Sequence, residues 1–392
     1  MQKQRAIIIG GSVGGLFAAN FLRELAWQVD VYERVAEDLA GRGAGIGTHE
    51  ELFGVMRRLG IAIDDSIGVR VSERVCLDAS GNAIHRLGSH HLMSHWVRIY
   101  GPLRERLPAA SYHAGANFVD FSDDDDQVVA HFEDGSSARA DMLIGADGGR
   151  SSVRGCLFPD VHPRYAGYIG WRGIIEESAL PASLRERLGD AYYFGLPPGE
   201  MMLAYPVPGR YWNYVWYRPT PEAELANLGT GARGPHVRPE LAKELKDIAR
   251  ATLAPLLAEL VERSEPFYQA IYDLETPRIA AARVALLGDA AFVARPHVGM
   301  GVTKAALDAL CLYRSLQIHA GDLDAALARY ERLRGEFGRR CVARARRLGA
   351  YIEARARPDR GWTEEQIDQR PERVMREVAA SLSDIPELGL EI

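Results

Sequence analysis

Long hydrophobic runs are missing from this chain of 392 residues. No stretch of eighteen apolar residues occurs in it, so the sequence offers no membrane-spanning helix. A secretory leader is not expected either, because MQKQRAIIIGG enters a strand-like run at once and has no apolar segment closed by a small-residue cleavage site. Cysteine is scarce: the four are Cys76, Cys156, Cys311 and Cys341, with no C-x-x-C pair among them. That spacing argues against a disulfide framework and for reduced thiols in a cytoplasmic protein. A basic surplus is absent too, since 47 Lys and Arg stand against 53 Asp and Glu for a net charge of −6. Duplex-binding proteins carry the opposite balance, so nucleic acid is not an expected partner. Internal repeats and low-complexity tracts are also lacking. What is present is globular material, 47% hydrophobic and 26% charged, which excludes a disordered chain. The length implies two to three domains at about 150 residues each.

The first informative stretch is RAIIIG at 5–10, a short apolar run of the kind that forms a buried strand. Gly10-Gly11-Ser12-Val13-Gly14-Gly15 follows, then LFAANFLREL with helical spacing, then the alternating strand QVDVYE ending in Glu33 with Arg34 after it. This is a β-α-β unit of a parallel sheet. Gly10 permits the tight turn, a small residue at Ser12 lets the backbone approach a pyrophosphate, and Gly15 permits close packing of helix on strand. The anion would rest on the free N–H groups of the helix start. A carboxylate at Glu33 accepts hydrogen bonds from ribose hydroxyls and repels a 2′-phosphate.

Two further strand-to-glycine junctions lie downstream. DMLI runs into Gly145-Ala146-Asp147-Gly148-Gly149-Arg150-Ser151, and VALL runs into Gly288-Asp289-Ala290-Ala291. The second is followed by Arg295-Pro296-His297 and Gly299-Met300-Gly301, where a long helix begins. An Asp at the carboxyl end of a strand faces the ligand crevice of an open α/β sheet. A helix starting near Gly301 would aim its positive end into the same crevice.

In this order, GGSVGG with Glu33, GADGGRSSVR at 145–154 and GDAAFVARPHVGMG at 288–301 resemble the FAD motifs of the class A, single-component aromatic hydroxylases, the para-hydroxybenzoate hydroxylase type. The resemblance covers residues 5–350. RYAGYIGWRGII at 164–175 and ARPHVGMGVTKA at 294–305 resemble the 2,6-dihydroxypyridine hydroxylase subgroup. The family implies a Rossmann-like FAD domain from 1–70, 98–160 and 270–350, and a β-sheet substrate domain inserted as 71–97 and 161–269. A C-terminal helix and tail would follow at 351–392. It also implies cofactor contacts from Gly10, Ser12, Val13, Gly14, Gly15, Glu33 and Arg34, with Arg42, Gly43 and Ala44 beside the flavin ring. Asp147, Gly288 and Asp289 would hold FAD, and Pro296, Gly299, Met300 and Gly301 would lie against the isoalloxazine. Three positions depart from the family pattern: Phe292 where relatives have His, Thr303 where they have Asn, and Tyr100 where they have Arg.

The implied cycle takes electrons from NADH or NADPH, adds O₂ to the reduced flavin as a C4a-hydroperoxide, and transfers one oxygen to a small aromatic or N-heteroaromatic ring, a hydroxypyridine or phenol. A flavin-dependent NAD(P)H oxidoreductase without oxygen insertion is the alternative. A homodimer is common in the family. A phenolic ring is activated by losing its proton, and His49, His297, Tyr205 and Tyr214 are the candidates to receive it.

Elsewhere the segment 165–218 is dense in Tyr and Trp and reads as β-sheet. Residues 112–139 read as antiparallel hairpins around Asp134-Gly135, 219–239 as a loop, and 240–263 and 301–357 as helices. RRCVARARR at 339–347 reads as a solvated helix face. SHHLMSH places His91 and His95 at i, i+4 without the Glu of a zinc protease, and Asp123–Asp126 lack an EF-hand frame.

Overall fold

The computed structural model describes residues 3–41, 44–64, 66–124, 126–228 and 237–389. Two sheets organise it. The first is a six-stranded sheet with the order Ala280–Ala281, Val284–Leu286, Met142–Gly145, Arg5–Ile9, Gln28–Glu33 and Tyr112–Ala114. All of its pairings are parallel except the first. Its central strands are buried on both faces, which explains their unbroken apolar runs. Helices Val13–Glu24 and Gly301–Ile318 cover it and pack on each other.

The second sheet has eight strands, in the order Phe292–Val293, Phe267–Glu275, Arg164–Glu176, Tyr211–Pro219, Met201–Val207, Ala191–Gly195, Glu73–Leu77 and Ala83–Gly88. Its two faces have different partners. One face carries Trp171, Met202, Ala204, Trp212, Tyr214 and Trp216, and packs on the helices Ala182–Leu188, Pro239–Thr252 and Pro255–Glu262. The other carries Tyr168, Leu203, Tyr205, Val215 and Tyr217, and packs on Tyr351, Ile352, Val374, Met375 and Val378 from the C-terminal region. Alternation along each strand sorts the aromatic residues between these faces.

A small three-stranded sheet of Gly45–Gly47, Leu92–His95 and Gly68–Arg70 links the two large ones. It meets the aromatic sheet where Gly45 N–H donates to Asn213 Oδ1 at 3.0 Å. A Cβ on Gly45 would fall 2.6 Å from the Asn213 side chain, so glycine is what lets the sheets close to this distance.

Several expectations change. The antiparallel segment is Phe118–Ala140, because Tyr112–Ala114 instead extends the parallel sheet beside Val31–Glu33. Part of 219–239 is a 3-10 helix, Glu222–Leu228, and 229–236 lie outside the described residues. The basic run at 339–347 is a clamp rather than a solvated face. Arg346 pairs with Asp273 and Glu275 on the large sheet, and Arg344, 8% exposed, reaches Glu387 at 2.5 Å. Residues 371–389 are no extended tail. Helix Pro371–Glu377 and the turns after it bury Val374, Met375, Val378, Leu382, Ile385 and Leu388.

Candidate active site

The three glycine-containing motifs meet at one end of the parallel sheet because their strands are in register. Ile9 pairs with Gly145, and Gly145 with Leu286. The loops that follow are therefore neighbours: Gly10 N–H donates to Tyr32 O at 2.8 Å, Ala146 N–H to Ile9 O at 2.7 Å, and Leu287 N–H to Gly145 O at 3.0 Å. Gly10 has φ +110°, and a Cβ there would fall 2.3 Å from Ala146 O. That position requires glycine on both counts.

Both helices that begin at this edge lack a side-chain cap. Ser12 before Val13–Glu24 and Met300 before Gly301–Ile318 make no capping bond. Their first N–H groups have no intrahelical acceptor and point their partial positive charge at the same place. Gly301 is exposed, with nothing within 4 Å of where a Cβ would be. Glu33 is 8% exposed; its two oxygens accept from Gly11 N–H at 2.8 Å and Val35 N–H at 3.0 Å, which leaves further lone pairs for hydroxyl donors. Asp289 is surrounded by protein yet has its own surface open to solvent, so it lines a crevice. Burial raises its pKa, against the pull of the nearby Lys304 ammonium. This donor set fits FAD: a close glycine backbone and two open helix starts for the pyrophosphate, and carboxylates for sugar hydroxyls.

Other candidate positions are placed as follows. Val13 and Gly14 are buried in the first turn of their helix, and a Cβ on Gly14 would touch Leu287 and Ala305. Arg34 is exposed, and Ala44 accepts from Trp96 N–H at 3.2 Å. Arg42 and Gly43 lie outside the described residues. Asp147 faces the start of the helix Ser152–Leu157, accepting from its N-cap Ser151 Oγ at 2.5 Å and from Ser152 N–H at 2.7 Å. Burial raises its pKa and these bonds oppose the rise. Pro296 is half-buried, and Met300 is buried below the start of its helix.

The four candidate proton acceptors do not share one site. His49 has both ring nitrogens engaged, Nδ1 with Thr303 Oγ1 at 3.1 Å and Nε2 with Ala380 O at 3.2 Å. A carbonyl only accepts, so Nε2 carries the proton and Nδ1 accepts from Thr303. Burial lowers the His49 pKa to about 4. Tyr214 is on the helix-covered face of the large sheet and bonds Ser264 Oγ at 2.8 Å, remote in orientation from the crevice. Tyr205 is on the opposite face, edge-on to Tyr192 with ring centroids 5.2 Å apart. His297 sits where the Pro296 loop meets that face. Its Nε2 lies 2.6 Å from Tyr168 Oη, its ring is 4.5 Å from that of Tyr217, and its Nδ1 is buried with no partner. Burial, and then the Arg295 charge, push its pKa down to about 3, so the imidazole is neutral.

Several side chains that hold the site went unnoticed in the sequence. Arg154 bridges two motifs, donating to Gly149 O at 2.7 Å and Ala290 O at 3.0 Å. Lys304 Nζ donates to Gly288 O at 2.5 Å, while Asp308 accepts from Gly288 N–H at 2.9 Å and from Arg334 at 2.7 Å. The GDAA turn is thus fixed from the adjacent helix. The one available signal was their i, i+4 spacing along an otherwise apolar helix. The three departures from the family pattern have structural roles: Phe292 packs against Gly338, Thr303 holds His49, and Tyr100 stacks on Trp96 at 4.7 Å.

A family model described as FAD binding domain-like matches residues 165–273. The chain is 33% identical to a 2,6-dihydroxypyridine 3-monooxygenase of Paenarthrobacter nicotinovorans, over 79% of this chain and 81% of the relative. The structure of 2,6-dihydroxypyridine-3-hydroxylase from Arthrobacter nicotinovorans superposes with a TM-score of 0.84 at 29% identity, covering 90% of this chain and 93% of that one. Klebsiella pneumoniae HpxO complexed with FAD and uric acid superposes with a TM-score of 0.81 at 26% identity, covering 98% of each chain. With the dinucleotide cradle in place and relatives of this identity spanning most of its length, the chain belongs to the family of FAD-dependent aromatic monooxygenases.

Proposed function

We propose that this enzyme hydroxylates a hydroxypyridine or a closely related electron-rich N-heteroaromatic ring, with the phenols as the wider class. The observation that carries the reading is the position of His297. It joins the loop after Asp289 to the aromatic face of the large sheet through Tyr168 and Tyr217. FAD, when bound, supplies the electron transfer from NAD(P)H and the activation of O₂. The chain's residues do the rest. Gly10–Gly15, Glu33 and Asp289 hold the cofactor. The face bearing Tyr168, Tyr205 and Tyr217 receives a flat ring, and apolar packing excludes water.

The Tyr168–His297 pair is the route for the substrate proton. Hydrogen-bonded at 2.6 Å, the pair can hold the proton on Tyr168 Oη or on His297 Nε2, and Nδ1 is the second port. Burial keeps the Tyr168 phenol neutral by raising its pKa, so Tyr168 passes a proton and does not store a charge.

The same reading divides the chain into an FAD unit of 1–70, 98–160 and 270–350 and a substrate unit of 71–97 and 161–269, with 351–392 packed across both. The split of most strands between two large sheets supports it, although Phe292–Val293 and the end of Phe267–Glu275 belong to the aromatic sheet. Four free cysteines accord with a cytoplasmic location. A homodimer is the proposed assembly, to be read by light scattering.

The test is NADH and NADPH oxidation by the FAD-loaded protein with 2,6-dihydroxypyridine, 6-hydroxynicotinate and simple phenols, following O₂ uptake, peroxide release and product mass. Stimulation by a hydroxypyridine, with a product sixteen mass units heavier (one added oxygen atom) and little peroxide, is the expected result. Turnover that ends only in peroxide with every ring would sink the reading in favour of an NAD(P)H oxidoreductase.

A further inference from the structure

Residues 371–388 return across the molecule as a strap. After helix Pro371–Glu377, residues Val378, Ala379 and Ala380 run between the Gly45–His49 segment and the Arg295–Gly301 loop. Ala379 N–H donates to His297 O at 2.8 Å, and Ala380 O meets His49 Nε2 at 3.2 Å. The Ala379 methyl fills the space that a side chain at position 299 would need, since a Cβ on Gly299 would fall 3.1 Å from it. Ala379 itself has φ +46°, a left-handed conformation at a residue that is not glycine. Such strain persists only where the surroundings over-determine the backbone.

The over-determining group is Arg74. It projects from strand Glu73–Leu77 and is 3% exposed. Its Nη1 donates to Met375 O at 2.5 Å and Val378 O at 2.7 Å, and its Nη2 to Ala379 O at 2.9 Å. Nη2 also lies 3.2 Å from His91 Nδ1, and the guanidinium rests 5.4 Å from the centre of the Tyr192 ring. These hydrogen bonds are to carbonyls and an imidazole, with no carboxylate among them. A buried cation is thus solvated by carbonyls at the end of one helix, groups that helix geometry leaves unpaired. Burying a guanidinium is unfavourable without such partners, so Arg74 and the strap hold each other in place.

We propose that Arg74 is a positioning residue that latches this strap over the junction of the FAD-side loops and the aromatic face, keeping His297 in place and water out. The proposal rests on the hydroxylase reading above. In the coupled reaction NADH, H⁺, O₂ and the ring C–H give NAD⁺, the ring C–OH and water. In the leak, NADH, H⁺ and O₂ give NAD⁺ and H₂O₂. The latch favours the first outcome by excluding water.

The experiment compares wild type with Arg74→Met, Arg74→Lys and Ala379→Pro. Proline cannot adopt φ +46° and has no N–H for His297 O, so it unhooks the strap without touching the sheet. Amide hydrogen exchange is read on the FAD-loaded protein without substrate, and peroxide formed per NADH is read with 2,6-dihydroxypyridine. In Arg74→Met and Ala379→Pro the amides of 371–388 should exchange at least about tenfold faster, with the parallel sheet unchanged. The peroxide fraction should rise in both, and Arg74→Lys should fall between them and wild type. Should Arg74→Met fail to fold, Ala379→Pro decides. Wild-type exchange rates in both variants, or faster exchange with an unchanged peroxide fraction, would overturn the proposal. If wild type hydroxylates no ring offered, the hydroxylase reading fails on its own, and the exchange measurement still decides whether Arg74 latches the strap.

Discussion

Lowering the pH from 7 to 5 should remove about 5.5 kcal/mol of folding stability through three histidines alone. His49 is held at a pKa of about 4, and His91 and His297 at about 3. Burial is the largest cause for each. The Arg74 charge adds to it at His91, and the Arg295 charge at His297. In the unfolded chain each titrates near 6.5. Between pH 6.5 and 4 the unfolded chain therefore binds protons that the folded protein refuses, and stability falls as pH falls. Each histidine costs about 1.4 kcal/mol per pH unit below 6.5, so about 2 kcal/mol apiece at pH 5. The sum is a large share of the roughly 5–15 kcal/mol that stabilises a typical domain. Asp273, with its lowered pKa, acts at lower pH; His95, also lowered by burial, adds to the histidine slope, and Asp147 and Asp289, raised by burial, oppose it, so the His297→Gln difference is the decisive reading. The assay is urea unfolding of the FAD-loaded protein at pH 7, 6, 5.5 and 5, followed by tryptophan fluorescence and circular dichroism. The slope should approach three protons between pH 5.5 and 5, and His297→Gln should lower it by one. A slope below one proton, or an unchanged slope in His297→Gln, would refute the assignment of these imidazoles as neutral and locked.

Three substitutions probe the site more directly. Gly349→Ala places a Cβ 2.3 Å from Tyr168 Oη and 2.9 Å from His297 Nε2; it should cut kcat by about a hundredfold, the usual scale of a lost proton-transfer group, while flavin absorbance shows FAD retained. Gly10→Val should abolish FAD binding, because its Cβ would overlap Ala146 O at a backbone angle closed to valine; a purified variant that stays fully yellow would contradict that placement. Glu33→Ala should weaken FAD by about 1.5–3 kcal/mol, the worth of hydrogen bonds to a charged group. Titration of the FAD-free protein measures it, and product analysis should show the same ring position hydroxylated.

The candidate FAD cradle was legible because its signals are local. A buried strand, a glycine that must take φ +110° and a carboxylate at the end of the next strand all lie within about thirty residues, the span of one supersecondary unit. The Asp147 and Asp289 motifs were legible for the same reason, and strand register then brought them together. The basic run at 339–347 misled because a charge pattern on a helix does not say what packs beside it. Here Asp273, Glu275 and Glu387 do. Likewise nothing near Arg74 in the sequence hints at carbonyls three hundred residues away.

By itself, then, the sequence determined the parallel sheet and its anion-binding turn, since both depend on short-range conformational limits of glycine, alternation and helix spacing, while the resemblance of its three motifs to known hydroxylases pointed to the cofactor class and the family. Only the tertiary structure decided which face of the large sheet each tyrosine takes and what packs over it. Tyr205 and Tyr214 are both tyrosines of adjacent antiparallel strands, yet the pairing of Tyr205 with Asn213 puts Tyr214 one residue out of step and on the opposite face. Parity within a sheet is set by register, and register is set by contacts between segments far apart in the chain.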